Sequence, residues 1–324
     1  MKNPIVSVCL VTFQQEKYIK ETIIGVLNQV TNFEFELVIG EDNSTDRTYH
    51  ICKKYAKKYP EKIRLIQRNQ PNKIFVNGRI TGTLNLWETL QDCRGKYIAQ
   101  LDGDDYWTDP LKLQKQFDFL ENNPDYSVVG HNCFLMNGTE PTHSVIKNVD
   151  QKFKTYLTSD LIEMNPYIHS MTMYVKPNYD SHKARILETP YSDWEILTLC
   201  SLNGKCAFFD EVVGYFRVHN NSYSFDSRHY YKNLRYEFLN RIKHAEYWNA
   251  VCGGSYQKEE NSVKNRRGRY LTNQALRNFK LKDAVLFSGY ITEQKFNSPI
   301  SKFVFHFLSV LNKMLSINKK LLIF

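Results

Sequence analysis

The chain opens on an alternation of short apolar runs and amphipathic stretches. Val6–Val11, Phe35–Ile39, Ile63–Ile66 and Tyr97–Leu101 are nearly continuous in apolar residues, as strands buried on both faces require. Tyr18, Ile19, Ile23, Val26 and Leu27 recur at helical spacing after the first run, and Ile51, Cys52, Tyr55 and Ala56 do so after the second. Strand, helix and strand in repetition predict βαβ units and a mostly parallel sheet covered by helices. Ser44 stands where it can cap the second helix, with Asp46 favourable in its first turn.

After Leu101 the texture changes. A helix is expected from near Pro110 to Asn122-Asn123-Pro124, then a strand over Tyr126–Met136, a helix over Asp193–Leu202, and two strands, Ala207–Val213 and Tyr215–Val218. Residues 140–190 show no clear period. The α/β core is expected to end near residue 225, giving a domain over 1–225 and a helical extension over 226–324 with two long helical patterns, 228–250 and 258–280. In its last segment Phe303, Phe307, Val310, Leu311 and Met314 share one helical face, flanked by Lys302, Lys313, Lys319 and Lys320.

Charge sharpens this division. Residues 226–324 hold 18 Lys/Arg against 7 Asp/Glu, whereas residues 1–225 hold 25 against 27, so the net charge of +9 resides in the extension. Such asymmetry fits an anionic partner, a membrane surface or a polyanion, as well as a plainly solvated basic face. The stripe within 296–324 correspondingly reads either as a peripheral membrane contact or as a face packed on the first domain. Nucleic acid is not expected as a partner, because no zinc, RNP or helix-turn-helix signature accompanies the charge. The seven cysteines are scattered and never form a C-x-x-C pair, which suggests reduced thiols rather than a disulfide framework or a zinc site. With no secretory signal at Met1 and no apolar run of about 18 residues, the expected location is the cytoplasm, with the inner membrane face as a candidate docking place.

In an open α/β sheet, ligands sit beyond the carboxyl ends of the strands. Here those positions carry Thr12-Phe13-Gln14-Gln15, Glu41-Asp42-Asn43-Ser44-Thr45-Asp46 and Asp102-Gly103-Asp104-Asp105-Tyr106-Trp107. Three carboxylates within four residues repel one another unless a cation shares them. Magnesium or manganese fits, since each takes oxygen ligands and keeps positions open for phosphate oxygens, making a diphosphate the natural companion. An EF-hand does not fit, because the spaced ligand series closed by Glu is missing. Tyr106 and Trp107 could stack on a sugar or pack in the core.

These segments, Val6-Ser7-Val8-Cys9-Leu10-Val11-Thr12-Phe13, Glu41-Asp42-Asn43-Ser44-Thr45-Asp46-Arg47-Thr48 and Gly95-Lys96-Tyr97-Ile98-Ala99-Gln100-Leu101-Asp102-Gly103-Asp104-Asp105-Tyr106-Trp107, occur in the order of a family 2 glycosyltransferase, which the chain resembles over roughly residues 5–223. The resemblance implies a GT-A fold, Rossmann-like with a mostly parallel sheet flanked by helices. It also implies a nucleoside-diphosphate sugar as donor, UDP-linked in the first instance, and a glycan or lipid-linked glycan hydroxyl as acceptor in cell-surface polysaccharide synthesis. By the same resemblance Thr12, Phe13, Gln15, Asp42, Asn85, Asp102, Asp104 and Arg217 are expected to bind the nucleotide sugar, and Asp104, Asp105 and His219 the Mn2+ or Mg2+. Thr83-Leu84-Asn85 departs from the family's Ala-Arg-Asn, so Arg79 is the remaining cation near that helix. Asp193 in Ser192-Asp193-Trp194-Glu195 matches the family's base, which takes the acceptor proton in an inverting transfer; it can equally cap the helix that follows. Asn165–Thr172, with His169 and Ser170 at its centre, falls where relatives contact acceptor. A sugar nucleotidyltransferase would share the sheet and acid cluster, but Thr12-Phe13-Gln14-Gln15 lacks the glycine-rich phosphate loop. A noncatalytic nucleotide-sugar-binding scaffold is disfavoured by the presence of Asp42, Asp102, Asp104 and Asp193 together.

Overall fold

The computed structural model describes residues 4–68, 75–76, 79–137, 140–144, 153–189, 191–219, 231–277, 280–291, 306–308 and 310–311. It divides into two compact units, Met1–Ser222 and Tyr223–Phe324.

The first unit is built on a ten-stranded sheet. Its first half runs β1 (Val6–Thr12), α1 (Ile19–Leu27), β2 (Phe35–Glu41), α2 (Thr48–Lys58) and β3 (Ile63–Gln67), then a two-stranded hairpin of β4 (Phe75–Val76) and β5 (Arg79–Ile80), α3 (Thr83–Asp92) and β6 (Tyr97–Asp102). The second half contributes β7 (Tyr106–Trp107), α4 (Lys112–Asn122), β8 (Tyr126–Asn137), β9 (Glu140–Ser144), β10 (Lys154–Tyr156), α5 (Thr158–Glu163), a 3-10 turn at His169–Met171, β11 (Thr172–Val175), α6 (Lys183–Leu187), α7 (Ser192–Ser201) and β12 (Lys205–Val218). Strand order is β10-β12-β8-β11-β6-β1-β2-β3, with β7 on β12 and β9 on β8. Strands β6, β1, β2 and β3 are mutually parallel, β8 and β12 pair in parallel, and β11 runs antiparallel between β6 and β8.

The apolar runs explain the layering. Every residue of β2 is buried, as is nearly all of β1, so both faces must be covered, and Ile19, Ile23 and Val26 of α1 join Val8, Leu10, Leu37 and Ile39 in one core. Gly40 marks where α3 lies on the sheet, because a Cβ there would stand 1.9 Å from Thr89 Oγ1 and 2.5 Å from Asn85 Oδ1. Polar residues at the opposite, amino end are structural. Ser7 donates to Glu36 at 2.7 Å while Arg64 pairs with Glu36 at 3.0 Å, closing that end with internal bonds.

Two expectations need correction. The strands expected at Ala207–Val213 and Tyr215–Val218 are one strand, β12, irregular around Val212; Gly214, which looks like a break, instead pairs with Trp107, and a Cβ there would meet Tyr106 O at 2.4 Å. Nor does Ser44 cap α2. Its hydroxyl accepts the Gln14 N–H at 3.0 Å, and Asp46 accepts the Thr48 N–H at 2.9 Å instead.

The second unit holds α8 (Tyr231–Val251), α9 (Gln257–Arg277) and α10 (Leu281–Ser288) around a small core of Phe238, Leu271, Ala275, Ala284, Phe287 and Leu308. Of the apolar stripe expected near the end, Phe303 and Met314 fall outside the described residues. Phe307 and Val310 are exposed, while Leu308, off that stripe, is the residue that packs inward. Among the described residues no helix is long and apolar enough to cross a membrane.

Candidate active site

Strand register brings the candidate residues together. Thr12 pairs with Glu41 and Val11 with Asp102, so β1, β2 and β6 stop at one level. The chain departs from β1 toward β2 on one side and returns through β6 on the other, which makes the β1/β6 boundary the switch point where a crevice opens. Across it, Asp42 N–H donates to Thr12 O at 3.0 Å and Gly103 N–H to Val11 O at 2.9 Å. Thr12 is therefore a shared neighbour of the acid after β2 and the acid loop after β6.

The loops after β1 and β2 are laced into one body. Gln14 and Asn43 both adopt left-handed backbone, with φ of 55° and 58°, a conformation costing a non-glycine residue about 1 kcal/mol unless its surroundings hold it. Those surroundings are present: Gln14 Nε2 donates to Thr45 Oγ1 at 2.7 Å, Asp46 N–H to Gln14 Oε1 at 3.1 Å, Gln15 N–H to Thr48 Oγ1 at 2.8 Å and Glu16 N–H to Asp46 Oδ2 at 3.1 Å. Phe13, 38% exposed, is left at the mouth, and Thr12 Oγ1 donates to Gln15 Oε1 at 2.7 Å behind it.

The acid loop is held from three sides. Thr22 of α1 places its hydroxyl 2.9 Å from Gly103 O and 2.7 Å from Asp105 O. Asp105 is buried, its Oδ2 accepting the Ser170 hydroxyl at 2.5 Å and its Oδ1 the Arg217 N–H at 2.9 Å. Arg217 donates to Asp104 O at 2.5 Å and pairs with Glu21, its guanidinium lying between the rings of Tyr18 at 5.0 Å and Tyr106 at 4.3 Å. In this arrangement Arg217 supports the acid loop. Asp104 meets His219 Nε2 at 2.9 Å, and His219 in turn stacks on Tyr18.

One oxygen from each of Asp102, Asp104 and Asp105 lies within 4.8 Å of the others. At that spacing two carboxylate charges repel by roughly 3 kcal/mol at an effective dielectric near 20. Burial, and then the charges of Asp104 and Asp102, hold the Asp105 carboxyl well above the usual carboxylate range. A shared divalent cation would relieve that crowding, so the donor set fits a hard metal ion.

On the far side of Asp102 stands His169. Its Nε2 is 2.7 Å from Asp102 Oδ2, and its Nδ1 is 3.5 Å from Asp193 Oδ2 in the first turn of α7. Burial pushes the Asp193 carboxyl up, but the hydrogen bond and charge of His169 and the Trp194 N–H outweigh it and leave Asp193 below its ordinary range. It is ionised at neutral pH.

Asn85 and Trp107 occupy supporting places. Asn85, buried, donates to Gly40 O at 2.8 Å and accepts from Arg68 at 3.4 Å, so it ties α3 to the end of β2 just ahead of Asp42. Trp107 is a core residue, its Nε1 donating to Ser170 O at 2.7 Å and the buried Lys112 ammonium 3.9 Å from its ring. The side chain of Arg79 lies outside what the structure describes. Tyr18, Glu21 and Thr22 were not expected as supports of the acid loop; Tyr18 precedes α1 and the other two sit on it, and the helical period conceals which face meets the loop.

Comparison with known proteins agrees with this architecture. Residues 7–181 match the sequence model described as glycosyl transferase family 2. An uncharacterised protein of Mycobacterium tuberculosis is 30% identical over 217 residues, 66% of this chain; the chain spans 58% of that relative's length. Among solved structures, TarS 1-349 of S. aureus in complex with UDP-GlcNAc superposes with a TM-score of 0.59 at 16% identity, covering 95% of this chain and 88% of that one. The mannosyltransferase PcManGT of Pyrobaculum calidifontis, in complex with GDP-Man and Mn2+, does so with a TM-score of 0.54 at 14% identity, covering 98% and 85%. With more than half of its length matched and the acid loop standing at the sheet's switch point, this chain belongs to glycosyl transferase family 2.

Proposed function

We propose that the protein transfers a sugar from a nucleoside-diphosphate donor to a glycan or lipid-linked glycan hydroxyl, with inversion, and that a divalent cation assists. The observation that carries this reading is the convergence of Thr12, Asp42, Asp102 and Asp104 at one level of the sheet, with Asp193 reached from Asp102 through a single histidine. Thr12, Phe13, Gln15 and Asp42 are the surface for the nucleoside, Asp42 accepting from a ring N–H. Asn85 acts through Asp42 by fixing Gly40. Asp102 faces the ribose.

Asp104 and His219 are the residues that would hold Mn2+ or Mg2+; their facing atoms are 2.9 Å apart, the separation of neighbouring ligands around an ion with bonds of about 2.0–2.2 Å. Asp105, with both its oxygens already accepting protein hydrogens, holds the loop in place behind Asp104. When bound, the cation would neutralise charge gathering on the departing diphosphate. Asp193 removes the acceptor hydroxyl's proton as the oxygen bonds to the sugar carbon and the bond from that carbon to the phosphate oxygen breaks. TarS and PcManGT support a UDP- or GDP-linked donor by fold likeness, and UDP is the first to test. The basic second unit supports an anionic surface as the setting, with a peripheral contact through 296–324.

The test is a screen of UDP- and GDP-sugars with Mn2+, following nucleotide release. The wild type is expected to release nucleotide from at least one donor, and Asp193→Asn to lose at least about 100-fold of that rate with nucleotide affinity kept within about twofold. Undiminished turnover in Asp193→Asn excludes Asp193 as the base; no release from any donor points to a noncatalytic protein.

A further inference from the structure

Two carboxylates with different proposed tasks, Asp102 on the donor side and Asp193 as base, belong to elements remote in sequence, β6 and α7. Packing alone leaves a carboxylate in the first turn of a helix free to choose among rotamers. Here one ring spans them: His169 has Nε2 at 2.7 Å from Asp102 and Nδ1 at 3.5 Å from Asp193.

The residue's backbone is anchored. Its carbonyl accepts the Thr172 hydroxyl at 2.6 Å, closing the 3-10 turn, and the next residue, Ser170, donates to Asp105 at 2.5 Å while accepting the Asp102 N–H at 3.2 Å. Ser170 O also receives the Trp107 indole N–H at 2.7 Å. The turn is thus riveted to the acid loop by side chain and backbone together, and the imidazole reaches outward to the base.

We propose that His169 is a positioning residue that aims the carboxylate of Asp193 and sets its distance from the donor-side acid Asp102. This rests on the reading of Asp193 as the base. Each ring nitrogen faces a carboxylate, Nε2 at hydrogen-bond distance from Asp102 and Nδ1 in a longer 3.5 Å contact with Asp193. A misplacement of about 1 Å at the reacting centre is enough for roughly a 100-fold loss of rate. Aiming a base therefore appears in the chemical step, whereas donor affinity, resting mainly on Thr12, Asp42 and Asp104, moves less than the loss of the Asp193 contact moves kcat.

The experiment compares wild type, His169→Gln and His169→Phe in nucleotide release from the donor that the wild type uses, beginning with UDP-GlcNAc, and in crystal structures of the full chain. Expected are a fall in kcat of about 100-fold for His169→Phe with donor KM within threefold, a smaller fall for His169→Gln, which keeps one amide donor, and a displaced Asp193 carboxylate in the crystal. A kcat within threefold of wild type in His169→Phe, or an equal loss in both variants carried by donor KM, overturns the proposal. If the wild type turns over no sugar nucleotide, the catalytic reading fails on its own account, and the crystal decides the positioning claim: a moved Asp193 upholds it and an unmoved one overturns it. Should His169→Phe not fold, His169→Gln is read by the same criteria.

Discussion

Asp104 and Asp105 are chain neighbours with opposite surroundings. Asp104 turns to His219 at the crevice, whereas Asp105 turns inward to Ser170 and the Arg217 backbone, and is buried. Gly103 separates Asp102 from both because it must pass close to the first loop: a Cβ there would stand 2.3 Å from Gln15 Oε1 and 2.6 Å from Thr12 Oγ1. Gly103→Ala should push those two side chains off their places, weakening UDP binding by about tenfold in calorimetry with little change in melting temperature. A second residue-scale expectation concerns His131, buried beside Phe209 and accepting from Gln116 Nε2 at 3.1 Å. Burial, then the Lys112 and Lys115 charges, lower it from 6.5 to about 3, so it is neutral in the folded state. Below the unfolded pKa of 6.5 the unfolded chain binds a proton that the folded chain refuses, so stability rises with pH and is lost as pH falls from 6.5 toward about 3. Between pH 7 and 5 this amounts to about 2 kcal/mol. Urea unfolding at those two pH values should show this loss in wild type and a markedly flatter response in His131→Gln.

At the scale of elements, helix α3 shows how a site is built from behind. Gly40 lets Thr89 and Asn85 lie against β2, and Asn85 then holds Gly40 O just ahead of Asp42. Gly40→Ala should cost about 1–3 kcal/mol in chemical denaturation through overpacking, and Thr89→Ala in the same chain should restore part of it. The buried strands and the loops behind them were legible in sequence because β1, β2 and β6 carry unbroken apolar runs, and their polar ends therefore stood out. The 3-10 turn at His169–Met171 and β11 were not, since they are three and four residues long and lie between segments without a period. Long-range tasks were also hidden. Nothing in the spacing of Arg217 reveals its bond to Glu21, and Ser44 offers the same hydroxyl to a helix start as to the Gln14 N–H. Tertiary partners made those choices, and sequence pattern does not contain them.

At the scale of the whole molecule, charge separates the two compact units. Residues 226–324 carry 18 basic against 7 acidic side chains, and 1–225 carry 25 against 27. If the basic unit docks on an anionic surface, the protein should sediment with phosphatidylglycerol vesicles at low salt and be released as ionic strength passes about 0.15 M, where the screening length falls to about 8 Å. Equal binding to neutral vesicles would contradict an electrostatic contact. The parallel strands β1, β2 and β6, ending level, deliver the loop after β1, the acid after β2 and the acid loop to one crevice. The central claim is that a cation held there grips the donor's diphosphate. Calorimetric titration of UDP, and of GDP, into wild type, Asp104→Asn and Asp42→Asn, with and without Mn2+, tests it most directly. The account predicts nucleotide binding that Mn2+ strengthens at least tenfold, that enhancement lost in Asp104→Asn, and affinity reduced with or without the ion in Asp42→Asn. Binding indifferent to both Mn2+ and these substitutions would contradict it.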